Sequence, residues 1–254
     1  MSRVFVTGST GGIGRESARQ LLAAGHEVVA HARSSDRAAH VRDVLPGLAD
    51  VVVGDLASLA QTRELAAAAT AAGPFDAVIH NAGIGGGATE RMLTVDGIER
   101  IFQINTVAPY LLTALMPRPG RLVYLTSGLQ DQGHVEPDEM DWPWDGMQAY
   151  CDSKVCDVAL AFAVARLWPD VLSTTVDPGW IKTRLGGPNA TDEVEDGAAT
   201  QVWLATSDDD AARVTGAYLK RFVPLQANPQ ASDVALQDGL LARLAEITGA
   251  TFPR

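Results

Sequence analysis

The sequence predicts a doubly wound α/β fold: a single domain over residues 1–254, with one parallel sheet covered by helices on both faces. Three observations predict it. Short apolar, β-branched runs alternate with longer stretches of helical periodicity, which is the pattern of successive βαβ units. A glycine-rich string falls directly between the first strand candidate and the first helix candidate. No Pro/Ser-rich linker and no repeat at a fixed period divides the 254 residues.

The elements follow in order. Val4-Phe5-Val6 is a buried-strand candidate, followed at once by Gly8, Gly11, Gly12 and Gly14. Ile13, Ala18, Leu21 and Leu22 then repeat at helical spacing as far as Gly25, a natural stop. Glu27 to His31 is a second strand, and a helix covers Asp36 to Leu45. Val51-Val52-Val53 is a third strand. Leu56 to Ala72 is helical and closes at Gly73-Pro74, before a fourth strand at Ala77-Val78-Ile79. Ile98 to Met116 reads as a helix and Arg121 to Thr126 as a fifth strand. A long helix from Gln148 to Leu167 stops at Trp168-Pro169, and Val171 to Val176 is the sixth strand. A helix over Ala198 to Ala205, a short strand over Ala217 to Leu219 and a helix over Ala231 to Ile247 complete the pattern.

Composition excludes several classes of function. Lys+Arg 20 against Asp+Glu 31 leaves a net charge of −11, which disfavours binding to a phosphate backbone or an anionic membrane. A chain that is 46% hydrophobic and 20% charged has an ordinary globular balance. Cys151 and Cys156 cannot form a disulfide framework and read as buried, reduced thiols. The N-terminus has no signal-peptide core, and no run approaches the ~20 apolar residues that span a bilayer. A soluble, cytoplasmic protein is therefore expected. His26, His31, His40, His80 and His134 lack metal-ligand spacing, so no metal is expected. There is neither a Gly-x-Ser-x-Gly elbow nor a Gly-Lys-Ser/Thr phosphate loop.

The string Thr7-Gly8-Ser9-Thr10-Gly11-Gly12-Ile13-Gly14 lies where a parallel sheet offers backbone N–H groups and a helix N-terminus to an anion. Glycine suits it because a β-carbon would hold a pyrophosphate away from the backbone. After the second strand, an acidic residue suits the ribose 2′-hydroxyl of NAD, whereas an arginine suits the 2′-phosphate of NADP. Here Ala32 stands where the acid could sit and Arg33 follows it, which favours NADP(H) over NAD(H). Asp36 nearby argues the other way. Arg15, at the start of the first helix, is either a second phosphate ligand or a surface charge.

Tyr150 and Lys154 are four apart on a predicted helix and so share a face. A free phenol, with a pKa near 10, is a poor acid–base group at neutral pH; a neighbouring ammonium favours its ionised form. Such a pair can exchange a proton with a carbonyl or alcohol oxygen.

Together these residues resemble the short-chain dehydrogenase/reductase family, and the match runs along most of the chain in family order. Thr7-Gly8, Gly12-Ile13-Gly14 is similar to its nucleotide-binding motif, and Asp55-Leu56 to its adenine contact. Asn81-Ala82-Gly83 resembles its sheet-stabilising motif, with His80 where many members carry another Asn. Asn105, Ser127, Tyr150 and Lys154 match the catalytic tetrad. Asp177-Pro178-Gly179-Trp180-Ile181-Lys182-Thr183 is similar to the segment that contacts nicotinamide. The resemblance implies a Rossmann-type fold, a homodimer or homotetramer, and hydride transfer between NADP(H) and a small-molecule ketone or aldehyde. In that mechanism Ser127 orients the carbonyl, Tyr150 gives the proton, Lys154 lowers the Tyr150 pKa and binds ribose, and Asn105 holds a relay water.

Ser127 and Tyr150 are 23 positions apart, wider than in compact members. The wide connection, and Thr215-Gly216-Ala217-Tyr218 further on, look most like the retinol-dehydrogenase-like branch. Gly128 to Ala149 is expected either to wall the substrate pocket through Trp142 or Trp144 or to be an acidic solvated loop. Leu185 to Glu195 is either a lid over cofactor and substrate or an inert loop. Two competing functions stay open: a non-catalytic NADP(H)-binding regulatory protein on the same fold, and a sugar-nucleotide epimerase or dehydratase, for which little chain remains after Thr183.

Overall fold

The computed structural model describes residues 1–85, 87–135 and 144–252. Eight strands form one sheet in the order β3-β2-β1-β4-β5-β6-β7-β8. These are β1 (Arg3–Val6), β2 (Glu27–Ala32), β3 (Asp50–Val53), β4 (Ala77–His80), β5 (Arg121–Leu125), β6 (Leu172–Asp177), β7 (Ala217–Lys220) and β8 (Val223–Leu225). The first seven pair in parallel, and β8 runs antiparallel on the edge. The chain reverses between β1 and β4, so a crevice opens at their carboxyl ends, the ligand position in open α/β sheets.

Strand alternation divides the core in two. Phe5 points to one face and packs with Leu65 of α3 (Leu59–Ala72), Leu112 of α5 (Ala108–Leu115), Val158 of α6 (Gly146–Leu167) and Leu244 of α8 (Val234–Thr248). Val4 and Val6 point to the other, with Leu21 of α1 (Gly12–Ala23), Val41 of α2 (Ser35–Val44) and Leu204 of α7 (Val194–Thr206). Side-chain caps start several of these helices: Ser34 before α2, Ser58 before α3, Asp145 before α6 and Asp233 before α8.

Several elements differ from the sequence reading, among them α7, which begins at Val194 and not at Ala198. Helix α3 begins at Leu59, not Leu56, because Asp55 Oδ1 accepts from Ala57 N at 3.0 Å and Ser58 supplies the cap. The helix expected over Ile98–Met116 is interrupted: α4 (Arg100–Phe102) passes through one π-helical turn, Gln103–Val107, into α5. Pro109 has no N–H to give the Asn105 carbonyl in α-helical register, and the π turn falls there. Ala231 belongs to a 3₁₀ turn, Pro229–Ser232, that precedes α8. Strand β8 was not expected; it returns from β7 through Arg221 and Phe222, both at positive φ, without the Asn-Gly pair that usually marks such a turn.

Candidate active site

At the exit of β1, Gly8 (φ +67) and Gly12 (φ +53) adopt left-handed backbone that other residues rarely take. A Cβ at Gly8 would come within 2.9 Å of Ala82 Cα, and one at Gly14 within 2.5 Å of Gly8 O while overlapping Asn81 Nδ2. The loop is thus laced to the chain leaving β4. Thr7 Oγ1 accepts from Asn81 N (2.9 Å) and Ala82 N (3.0 Å), and Asn81 Nδ2 donates to Thr7 O at 2.9 Å. Gly11, the N-cap of α1, supplies no side-chain acceptor, and the space beside it is clear. The first N–H groups of α1 therefore have no side-chain cap, as a phosphate site requires. Thr10 and Ile13 are half-buried beside them. The Ser9 hydroxyl is engaged inward, donating to Val6 O and accepting from His31 N.

The sequence places His31 at the end of the second strand and gives it no further part. It is buried; its Nδ1 accepts from Gly8 N at 3.0 Å and its Nε2 lies 2.8 Å from Gly54 O. Those partners require a neutral ring with the proton on Nε2. Burial lowers its pKa, opposed by the bond to Gly54 and the charge of Asp55. The ring thereby ties the glycine loop to the segment carrying Asp55 and the buried Leu56. Ala32 is buried, whereas Arg33 and Arg15 are exposed. Nothing in the spacing of a single strand histidine signals such a clamp.

At the exits of β4 and β5, Tyr150 and Lys154 of α6 are 9% and 4% exposed. A Cβ at Gly85 would overlap the Tyr150 ring, so the chain after β4 runs directly across it. Gly83 lies between Asn105 and Lys154: its added Cβ would stand 3.5 Å from Asn105 Oδ1 and 3.6 Å from Lys154 Nζ. Asn105 Oδ1 accepts from Ile84 N, and its Nδ2 donates to Ile84 O and Ser153 Oγ, all at 2.9 Å. Thr126 Oγ1 donates to Lys154 O at 2.7 Å, which sets the neighbouring Ser127 beside α6. Ser127 Oγ accepts from Leu129 N at 3.2 Å.

Lys154 Nζ donates to Leu125 O (2.9 Å) and Asp157 Oδ2 (2.8 Å) and lies 5.7 Å from the Tyr150 ring centroid. Burial works to lower the Lys154 pKa, but Asp157, with Tyr150, outweighs it and the net direction is upward. Burial in turn pushes the Asp157 carboxyl up to about 6, against the pull of Lys154. Asp157 was missed in the sequence, although Lys154 and Asp157 are spaced to share a helix face. Cys151 and Cys156 are free and buried, and burial raises both thiols. His80 is neutral, its pKa lowered to about 3 by burial; Nε2 meets Thr113 Oγ1 at 3.1 Å and the ring stacks on Tyr124.

The segment 177–183 closes the site. Asp177 Oδ1 accepts from Gly179 N at 2.8 Å, and Oδ2 pairs with Lys220 at 2.8 Å. A Cβ on Gly128 would stand 3.1 Å from that same Oδ2, which joins the segment to the Ser127 turn. Pro178 and Gly179 lead into buried Ile181, and Thr183 Cγ2 would be 3.3 Å from a Cβ on Gly12, across from the glycine loop. The Leu185–Glu195 stretch is stitched back onto it: Lys182 N donates to Asp192 O (2.9 Å), and the exposed Trp180 donates its indole N–H to Gly186 O (2.8 Å). Residues 128–132 form a 3₁₀ turn clamped by Asn228, which donates from N to Gln130 Oε1 (2.7 Å) and from Nδ2 to Gln130 O and Gly133 O. Trp142 lies outside the described residues. Trp144 is half-buried against Gly146, with its indole nitrogen buried and without a hydrogen-bond partner. Among the described residues, no group of His, Cys, Asp and Glu could hold a metal ion, and no helix is long and apolar enough to cross a membrane.

Comparison with known proteins points one way. Residues 2–194 match the family model described as short chain dehydrogenase. The short-chain dehydrogenase chyC of Penicillium rubens is 40% identical over 263 residues, covering 100% of both chains. DnrU of Streptomyces sp., assigned as a daunorubicin C-13 ketoreductase, is 32% identical over 97% of this chain and 91% of its own. Retinol dehydrogenase 13 of Homo sapiens is 27% identical over 98% and 85%, in keeping with the retinol-dehydrogenase-like pattern. Among solved structures, a blue fluorescent protein from a metagenomic library in complex with NADPH superimposes with TM-score 0.69 at 28% identity, over 86% of this chain and 95% of that one.

Proposed function

The chain belongs to the short-chain dehydrogenase family, and from that premise we propose that it is an NADP(H)-dependent oxidoreductase interconverting a small or apolar ketone or aldehyde with its alcohol. One observation carries the reading. Ala82 packs on the glycine loop at Gly8, and Gly83 next to it faces Asn105 and Lys154, so a single dipeptide joins the phosphate cradle to the proton-handling side chains. The uncapped start of α1 and the glycine backbone would hold the pyrophosphate, and exposed Arg33, following an apolar Ala32, would take the 2′-phosphate. Main chain of Ser9, Thr10 and Ile13, the Asp55-Leu56 and Asn81-Ala82-Gly83 turns, and Pro178, Gly179, Ile181 and Thr183 would line the rest of the cleft. The ketoreductase assignment of DnrU and the NADPH in the neighbouring structure support this choice of substrate class and cofactor.

When bound, the nicotinamide supplies the hydride. The chain supplies position and proton. Ser127, whose Oγ already accepts from Leu129 N, keeps its O–H to donate to a carbonyl oxygen. Tyr150 delivers the proton to that oxygen, so the product is not left as an alkoxide. Lys154 stabilises charge developing on the phenol and would hydrogen-bond the cofactor's ribose. Asn105, fixed by Ile84 and Ser153, orders the relay behind it.

The test is NADPH consumption, followed by absorbance across ketones, aldehydes and quinones, with NADH in parallel. Turnover with NADPH is expected on at least one class, and comparable turnover with NADH would remove Arg33 from the site. Tyr150→Phe should lower kcat by about 10³-fold with cofactor affinity retained; full activity would place the acid elsewhere.

A further inference from the structure

Asp157 stands one turn beyond Lys154 on α6 and is 2% exposed. Its Oδ2 accepts from Lys154 Nζ at 2.8 Å, while Oδ1 is buried without a hydrogen-bond partner. An ammonium has three N–H groups. Two of those on Lys154 go to Asp157 Oδ2 and Leu125 O, which leaves one for whatever enters beside Gly83. The Leu125 carbonyl can accept a hydrogen bond but cannot balance a charge, and a desolvated ammonium without a counter-ion gives up its proton. The groups that face the carboxylate are Lys154 and Cys156 on α6, Tyr124 on β5 and Thr106 in the π turn. Of these only Lys154 is cationic.

We propose that Asp157 is a positioning residue for the reaction: as the buried counter-charge of Lys154 it keeps that ammonium charged and in place, and Tyr150 acts as an acid only beside a Lys154 so held. The inference rests on the proposed role of the Tyr150–Lys154 pair. Its consequence is that the working range of the enzyme on the alkaline side is set by a residue that touches neither substrate nor cofactor. Burial pushing the Asp157 carboxyl up to about 6 is in keeping with this, since the group is then still ionised at neutral pH.

The chain has only three lysines, Lys154, Lys182 and Lys220, so isotope labelling of lysine side chains gives three signals that NMR can follow through a pH titration of the intact protein. Lys154→Arg identifies the Lys154 signal. In Asp157→Asn that signal should titrate at least about one pH unit lower, tenfold in proton affinity, with Lys182 and Lys220 unmoved. Asp157→Glu, which keeps the carboxylate, should hold it near the wild-type position. The alkaline limb of NADPH-dependent turnover should move down with the Lys154 signal. A Lys154 midpoint that is the same in Asp157→Asn and wild type overturns the proposal, and so does a lowered midpoint with an unchanged turnover profile. If Asp157→Asn does not fold, the reverse experiment reads the same coupling: in Lys154→Met the Asp157 carboxyl should titrate above about 6, and an unmoved carboxyl overturns the proposal. Full activity in Tyr150→Phe would instead remove the functional reading while leaving the Lys154–Asp157 coupling intact.

Discussion

At the exits of β1, β2 and β3 the contacts that shape the cleft are neutral: Gly8 N on His31 Nδ1, His31 Nε2 on Gly54 O, and the Thr7 hydroxyl shared by Asn81 N and Ala82 N. At the exits of β5, β6 and β7 two of them are buried or half-buried ion pairs, Lys154 with Asp157 and Lys220 with Asp177. The first arrangement presents uncompensated donors and carries no charge of its own at neutral pH, which suits a ligand that brings its own negative charge. The second holds groups whose ionisation can follow a reaction. On the proposed function, one part of the cleft binds and the other moves protons, and Ala82 and Gly83 join them.

Breaking the neutral part should have the largest effect on the fold. Gly14→Ala puts a Cβ within 2.5 Å of Gly8 O, a backbone atom that cannot rotate away. We expect a loss of about 3 kcal/mol in chemical denaturation, with NADPH binding by fluorescence lost as well. Unchanged binding would mean that the loop can re-form around a side chain. His31→Leu leaves the half-buried Gly8 N–H and the buried Gly54 O unpaired, at a cost of about 2 kcal/mol. His31→Gln offers one acceptor and one donor and should recover most of it; equal losses in the two variants would show that the ring acts by bulk alone.

The pH response sharpens the contrast. His31 and His80 have folded pKa values below the ordinary one, so the unfolded chain takes up protons first and their contribution is lost as pH falls below about 6.5. Asp157, raised to about 6 from 3.8, acts in the opposite sense: it favours the folded state below that window and loses the contribution as pH rises through it. Two histidines outweigh one carboxyl. Stability should therefore fall by about 1–2 kcal/mol from pH 7 to 5.5, and by less in His31→Gln; a flat profile would contradict neutral buried rings. The smallest effect is at the surface. Arg33→Ala should weaken NADPH about fivefold and leave NADH unchanged in the same binding assay.

The parallel sheet was legible in the sequence because periodicity reports it directly, and short motifs picked out Asn105, Tyr150 and Lys154, which the fold brings close to Gly83 and Gly85. What was not legible depends on contacts across the fold. His31 shows nothing in its own neighbourhood that reveals partners on two other loops, and β8 turns through Arg221 and Phe222 where glycine or asparagine would have signalled a hairpin. Asp157 could have been found: its spacing from Lys154 was visible, but only burial turns an ordinary helix-surface pair into a counter-ion. The helix through Asn105 was read as continuous although Pro109 stands four residues on, where its missing N–H matters.

Asn228 holds Gln130 and Gly133 through three bonds from a point nearly a hundred residues downstream. The far end of the chain thus grips the turn that follows Ser127. On the proposed function, lengthening or trimming the stretch between β8 and α8 would retune which molecules fit beside Ser127 while Asn105, Tyr150 and Lys154 stayed as they were, so variants selected for a new substrate should accumulate changes there.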